Sequence, residues 1–434
     1  MTQPAAQISS YLHPHPAGPD ARGVPGALSP IDRILDSVRS HLGMEIAFAS
    51  RIVDGMREFT HIRSDCPVPV SPGDAEPLAE TLCGLVLQGE LPQLMHDARE
   101  FPAALPIGIT LGLPVASHLN VPLRLRDGSL YGTFCCVNRT PDRTLTERDT
   151  ATLRAFADLA VQLIESDLAL HSRDKAITSR VEAVLAYDAI TILQQPIHEL
   201  VSGKAVGVEC LARFPDAALR GPDVWFGEAA EVGLGIALEL AAIRAALRTF
   251  GHVPAPCYMS INASPAVVIQ GDLLALVQGY DRARLVIEVT EHSQVSNYAA
   301  LGTALDALRP YARIAIDDVG AGYAGLRHLV DLRPDLLKLD MSLTRDIARD
   351  PARRALAHAL VHFAAEMETS IVAEGVETEA ERATLSGLKV PLAQGYLFNR
   401  PMPVVAAQQV LLGLERTAPP PLAANIDMPL RAYG

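Results

Sequence analysis

The sequence predicts an α/β protein: a TIM-like (β/α)8 barrel in its second half, preceded by an α+β domain built on an antiparallel sheet. Three observations predict it. At 434 residues the chain is longer than one ordinary domain. Beyond about Tyr187, short apolar runs alternate regularly with longer helical stretches, as a barrel of strands and crossover helices requires. Most of those runs end in a carboxylate, amide or lysine, which a strand buried on both faces would not carry without a reason.

Residues 1–27 are rich in Pro, Gly, His and Ala without periodicity and are expected to be disordered. Residues 28–165 read as the first folded domain. IDRILDSVRSHL gives an amphipathic helix with Ile31, Ile34, Leu35 and Val38 on one side, and MEIAFASRIV a strand. VPLRL and SLYGTFCCVN flank Arg126, Asp127 and Gly128, and Asp-Gly between two alternating apolar runs signals a hairpin. Thr144 with Glu147 has the spacing of a capping box opening the helix ERDTATLRAFADLAVQLIESDLAL. Leu153, Phe156, Ala160 and Leu163 form a seam along it. The seam suits a partner helix or the helix's own domain, and is too short to choose between them.

Residues 166–186 are expected to continue as a helical linker into a barrel at 187–412, followed by a tail at 413–434. Eight strand-like runs are placed in the barrel: ITILQQPI, AVGVECLARF, CYMSINAS, RLVIEVTE, ARIAIDDV, LLKLD, SIVAEGVE and LAQGYLF. The rival architecture, an open doubly wound sheet, lacks its glycine-rich phosphate fingerprint here.

The net charge of -13 and the absence of any Lys/Arg block exclude an electrostatic footprint for long nucleic acid. A small phosphorylated ligand stays compatible, because metal ions can supply positive charge locally. No basic leader precedes an apolar core and no apolar run is long enough to cross a bilayer, which reads as a soluble cytoplasmic protein without membrane insertion. Cys66, Cys83, Cys135, Cys136, Cys210 and Cys257 are scattered without a CxxC pair, and are expected to be reduced core thiols rather than a disulfide or zinc site.

The strand ends carry the chemistry. Glu209 lies in AVGVECLARF, Asn262 ends CYMSIN, Glu288 and Glu291 end RLVIEVTE, and Asp317 and Asp318 end ARIAIDD. Lys338 and Asp340 end LLKLD, and Glu374 and Glu377 end SIVAEGVE. In a (β/α) barrel the carboxyl ends of the strands converge on one mouth, so these groups would share one pocket. Glu209, Leu211 and Arg213 share a strand face, as do Lys338 and Asp340. Crowded carboxylates repel unless cations hold them. A donor set of Glu, Asp and Asn oxygens suits Mg2+ or Mn2+ rather than structural zinc. Two adjacent aspartates could serve two neighbouring ions, the arrangement used for displacement at phosphorus, so phosphodiester hydrolysis is the expected reaction class.

From about Ile190 to Pro403 the chain resembles the EAL domains that linearise cyclic di-GMP. The motifs occur in order: QPI at Gln195, ECLARF at Glu209, SINASP at Asn262, EVTE at Glu288, DDVGAGYAGL at Asp317, KLD at Lys338, AEGVE at Glu374 and QGYLFNRP at Gln394. The resemblance implies two Mg2+ or Mn2+ ions. Glu209, Asn262, Glu288 and Asp317 would hold one, and Asp317, Asp318 and Glu374 the other. It implies that Lys338 positions or activates the attacking water, helped by Glu374. Gln195, Leu211, Arg213, Asp318, Asp340, Glu377 and Gln394 would line the substrate site, and the product would be linear pGpG.

Two positions depart from the family's usual pattern. Cys210 replaces the Ala of the signature and, by parity, faces the outer layer. Val319, Gly320, Ala321 and Gly322 stand where the family usually has Phe-Gly-Thr-Gly, in a loop that a glutamate matching Glu291 steadies and that links the metal site to a dimer contact. A homodimer is therefore expected. The first domain, from about Ser29 to Ile164, is similar to GAF sensory modules through LCGLVLQGELPQLMHDARE and HLNVPLRLRDGSLYGTFCCVN, which implies a small ligand of unnamed chemistry. Cys83 as a chromophore anchor is set against a buried core thiol, and His96 and His118 read as structural or exposed. A GAF-regulated hydrolase is the leading expectation. The alternatives are a cyclic di-GMP receptor without turnover, which Val319 and Ala321 keep open, and a protein-interaction scaffold, which would not need the carboxylate set.

Overall fold

A computed structural model of the protein describes residues 28–107, 109–110, 113–215, 220–290, 297–320 and 326–414. The segments read above as a disordered start and most of the tail lie outside the described residues, as do Glu291 and Ala321. The chain divides into two compact units, with the boundary after Arg173. No helix among the described residues is long and apolar enough to cross a membrane.

The first unit is built on a six-stranded antiparallel sheet, in spatial order 75–77, 56–64, 46–53, 130–138, 117–124 and 94–95. Its opening helix, Pro30–Leu42, has the local chemistry a helix needs at both ends. Ser29 and Asp32 cap the start reciprocally, and Gly43 closes the end in the left-handed conformation. Leu35, Val38 and Leu42 bury against Ala47, Ala49, Leu119, Val121, Phe134 and Cys136 on one sheet face. On the other face, Ile46, Phe48, Phe59, Cys135 and Val137 meet Leu82, Cys83 and Val86 of the helix Leu82–Gln88. The expected hairpin forms between Ser117–Arg124 and Leu130–Asn138.

A 40-residue helix, Glu147–Ala186, runs from this unit into the next. Its capping differs from the sequence expectation. Thr146, not Thr144, hydrogen-bonds the third residue on, through Asp149 Oδ2 at 2.7 and 2.8 Å, while Thr144 bonds Asp142. The capping-box spacing holds, shifted by two residues because the first helical residue is Glu147 itself. Leu153 and Ala160 of the seam are buried in their own domain's core and Phe156 packs against it.

The second unit is a closed barrel. Its strands are β1 (Thr191–Glu199), β2 (Ala205–Arg213), β3 (Tyr258–Ala263), β4 (Leu285–Thr290), β5 (Arg313–Val319), β6 (Leu336–Leu339), β7 (Ser370–Ala373) and β8 (Leu392–Ala393). They pair in chain order, and β1 closes the ring between β8 and β2. The expected barrel is borne out, with one feature the alternation did not reveal: β1 runs antiparallel to both neighbours. The cause is local, because residues 200–204 between β1 and β2 form a tight turn, too short for the crossover a parallel pair needs.

Strand alternation sorts the barrel's side chains into shells. Outward-facing Val208, Cys210, Met259, Ile261, Ile287, Val289, Ile314, Ile316 and Leu337 pack beneath the helices, so Cys210 faces the outer layer as its parity required. Inward, Ile197, Tyr258, Val286, Ala315, Leu336 and Val372 form an apolar floor. Gly207 gives the Tyr258 ring its room, since a Cβ there would overlap it. Trp225 is 1% exposed and stacks on Phe214 with ring centroids 5.0 Å apart. Burial on this scale makes each aromatic worth about 3–5 kcal/mol on truncation to Ala.

Candidate active site

One step along each strand from the apolar floor, the inward positions turn polar. With a period of two, Ile197 leads to Gln195, Tyr258 to Ser260 and then Asn262, Val286 to Glu288, Ala315 to Asp317, Leu336 to Lys338, and Val372 to Glu374. Register confirms the ring: Glu209 stands opposite Gln195 and Ser260, and Asn262 opposite Glu288.

Lys338 occupies the centre. Its Nζ lies 2.6 Å from Glu374 Oε1, 2.7 Å from Glu288 Oε2, 3.3 Å from Asp317 Oδ1 and 3.5 Å from Glu209 Oε2. Glu209 also accepts from Asn262 Nδ2 at 3.0 Å and from Gln394 Nε2 at 2.5 Å. Ser260 donates its hydroxyl to Glu288. Burial alone would depress the Lys338 ammonium, but Asp317, Glu209, Glu288 and Glu374 outweigh it and hold the group well above its ordinary value. Burial pushes the Glu288 carboxyl up to about 8 despite Lys338. It likewise raises Asp317, and raises Glu374 well above the usual carboxylate range. Glu209 goes the other way: burial would raise it, but Lys338, Gln394 and Asn262 together stabilise its charge more.

Consecutive residues on a regular strand face opposite sides, yet Asp317 and Asp318 both belong to the site. Ligand oxygens of Asp317, Asp318 and Glu374 all lie within 4.8 Å of one another. A register shift between Ile316 and Val319 interrupts the pairing of β5 with β6, and Asp318 takes a positive φ of 59°. Aspartate tolerates that conformation better than most residues, and such backbone costs of order 1–3 kcal/mol, which concentrates at functional sites.

The site therefore gathers Glu209, Asn262, Glu288, Asp317, Asp318, Lys338, Glu374 and Gln394. The remaining sequence candidates stand around it. Gln195 is buried and donates to the Asn399 carbonyl at 3.0 Å. Leu211 and Arg213 follow Glu209 on the same face of β2, half-buried, with Arg213 Nη1 donating to the Ala212 carbonyl at 2.8 Å. Asp340 caps the short helix Met341–Thr344 by accepting from Ser342 N at 2.8 Å. Glu377 is exposed and pairs with Arg345 at 2.9 Å. Sequence reasoning missed Ser260, whose shared parity with Asn262 was the available signal, and Thr344, whose hydroxyl donates to the Glu374 carbonyl. Val319 is 3% exposed within the outer core, and Gly320 follows with φ 109°.

Four carboxylates face one ammonium here, a fifth, Asp318, stands beside Asp317 and Glu374, and the donors are oxygens with neither sulfur nor imidazole among them. That set fits hard divalent cations, which would offset the burial, and the lesser repulsion from neighbouring carboxylates, that together favour protonating Glu288 and Glu374.

The model of the EAL domain matches residues 179–401 and that of the GAF domain residues 29–164. The cyclic di-GMP phosphodiesterase NbdA of Pseudomonas aeruginosa is 32% identical over 265 residues, covering 58% of this chain and 34% of that protein. The cyclic di-GMP phosphodiesterase PdeF of Escherichia coli K12 is 29% identical over 246 residues, covering 54% of this chain and 33% of its own length. The match thus spans about a third of each of these relatives. The structure of the EAL enzyme Bd1971 with cAMP and cyclic di-GMP bound shares the fold, with a TM-score of 0.51 at 19% identity over 85% of this chain and 93% of that one.

Proposed function

Because the chain belongs to the EAL-domain family, with a GAF domain ahead of the barrel, we propose that it hydrolyses cyclic di-GMP to linear pGpG. The observation that carries this reading is the buried Lys338 ammonium ringed by Glu209, Glu288, Asp317 and Glu374 within 3.5 Å. Such a concentration of like charge has no structural use that apolar residues would not serve better.

Glu209, Asn262, Glu288 and Asp317 would hold one divalent ion, and Asp317, Asp318 and Glu374 the second. When bound, Mg2+ or Mn2+ polarises a phosphoryl oxygen and makes water a stronger nucleophile at neutral pH. The protein's own groups then divide the work. Lys338, kept protonated by its carboxylates, orients the attacking water and stabilises the charge that develops on the phosphoryl oxygens. Glu374, whose burial raises its proton affinity, accepts the proton the water loses. Gln394 fixes the orientation of Glu209, and Ser260 that of Glu288, so neither carboxylate need reorganise during reaction. Arg213, Gln195, Leu211, Asp340 and Glu377 line the approach, with the planar guanidinium suited to a phosphate oxygen.

Regulation by a small ligand at the GAF domain, transmitted along Glu147–Ala186, and assembly as a homodimer complete the proposal. Sedimentation showing a monomer at every working concentration would remove the dimer. The principal test is incubation of the purified protein with cyclic di-GMP and Mg2+ or Mn2+, beside a chelated sample, with products separated by chromatography. Metal-dependent pGpG is the expected result. Val319 in the buried core, where the family usually carries an aromatic, favours one second reading, a receptor that binds the nucleotide and does not turn it over. Tight binding without pGpG would select it.

A further inference from the structure

A second cluster of ligating side chains lies within the first unit. Cys83 comes from the helix Leu82–Gln88, His118 from the strand Ser117–Arg124 and Cys135 from Leu130–Asn138. Cys83 and Cys135 are 0% exposed and His118 1%. Cys83 Sγ lies 3.4 Å from Cys135 Sγ and 4.0 Å from His118 Nε2, and all three ligand atoms fall within 4.8 Å of one another. A tetrahedral ion with bonds of about 2.3 Å to sulfur and about 2.0 Å to imidazole would set its sulfurs roughly 3.8 Å apart and sulfur and nitrogen roughly 3.5 Å apart. The side chains are already near that spacing.

The surroundings fit the same purpose. Arg57 Nη1 donates to Cys83 Sγ at 2.8 Å, and the charge of this fully buried guanidinium is balanced by Glu76. A hydrogen bond to a ligating sulfur steadies the thiolate and fixes its direction. Asn120 stands opposite Cys135 in the strand register, on the face of the strand that His118 shares. It is 0% exposed, and neither its amide nitrogen nor its oxygen has a hydrogen-bond partner; His118 Nδ1 also lacks one. A buried amide is costly to leave unsatisfied, so something not yet named is expected to meet it.

We propose that Cys83, His118 and Cys135 form a binding site for one thiophilic divalent ion of the Zn2+ type inside the GAF domain, with Asn120 beside the fourth position. Two sulfurs and an imidazole select such an ion over Mg2+ or Mn2+. Two thiolates neutralise its charge, and their protons leave to solvent on binding. The sequence concealed the site because its ligands are 35 and 52 positions apart, without the short pair spacing of a zinc motif.

The test uses reduced, metal-stripped full-length protein titrated with Co2+. The barrel site can take Co2+ only through oxygens, so a sulfur-to-cobalt charge-transfer band reports on the cysteine site alone. The expected result is that band, with tetrahedral visible bands, saturating at one ion per chain and erased by Zn2+. Cys83→Ser and Cys135→Ser should each weaken it at least tenfold, and Cys66→Ser should leave it intact. No charge-transfer band at saturation, or a band undiminished in Cys83→Ser and in Cys135→Ser, would overturn the proposal. Should the variants fail to fold, X-ray absorption on the wild-type chain with zinc decides: sulfur at about 2.3 Å supports the site, and oxygen and nitrogen alone refute it.

Discussion

The ammonium of Lys338 lies 2.6 Å from the Glu374 carboxylate, a pairing of a buried lysine with a half-buried glutamate at the ends of adjacent strands β6 and β7. In the absence of bound cations this lysine is what holds the ring of carboxylates together. Removing it leaves like charges buried without compensation, which typically costs about 3–5 kcal/mol. Lys338→Met should therefore destabilise the barrel by that order in chelator. Added Mg2+ or Mn2+ should recover much of the loss. Trp225, the sole tryptophan of the chain, gives the fluorescence signal for the denaturation curves.

Ions that bind only the folded barrel must stabilise it by mass action. At one hundred times the dissociation constant the wild-type gain is about 2.7 kcal/mol. Urea midpoints in Mn2+ and in chelator measure it directly, and coincident curves would count against ion binding at the carboxylates.

Ser260 touches no proposed ion yet orients Glu288 through its hydroxyl. Ser260→Ala should lower metal affinity or turnover by about 10- to 100-fold, with circular dichroism unchanged. An unaltered metal titration and rate would show that Glu288 needs no such support.

Gly395 follows Gln394, the donor to Glu209, and a Cβ at this glycine would overlap the backbone of Val376. Gly395→Ala should cost about 1–3 kcal/mol by overpacking and depress turnover as well, because Gln394 moves with it. Thermal melts and rates measured on the same preparation would show whether the two losses occur together.

Much of this was legible in the sequence, because a strand period of two places Glu209, Asn262, Glu288, Asp317, Lys338 and Glu374 on inward positions once the strands are found. The reversal of β1 was not, since hydrophobic alternation carries no direction. Nor was the way Asp318 joins Asp317, which depends on a break in strand pairing and a left-handed backbone rather than on residue type. The helix cap slipped by two residues because Thr144 and Thr146 both precede an acidic residue at the right spacing. The Cys83, His118 and Cys135 cluster was invisible, for it exists only after a helix packs across two neighbouring strands.

Chromatography of cyclic di-GMP incubated with Mn2+ and either the wild-type protein or Glu209→Ala decides whether the carboxylate ring is a hydrolytic site. The expected result is pGpG from the wild type and at least a 100-fold lower rate, of the order seen when a key electrostatic group is lost, from the variant. Equal rates, or no pGpG from the wild type under conditions where the nucleotide binds, would contradict it.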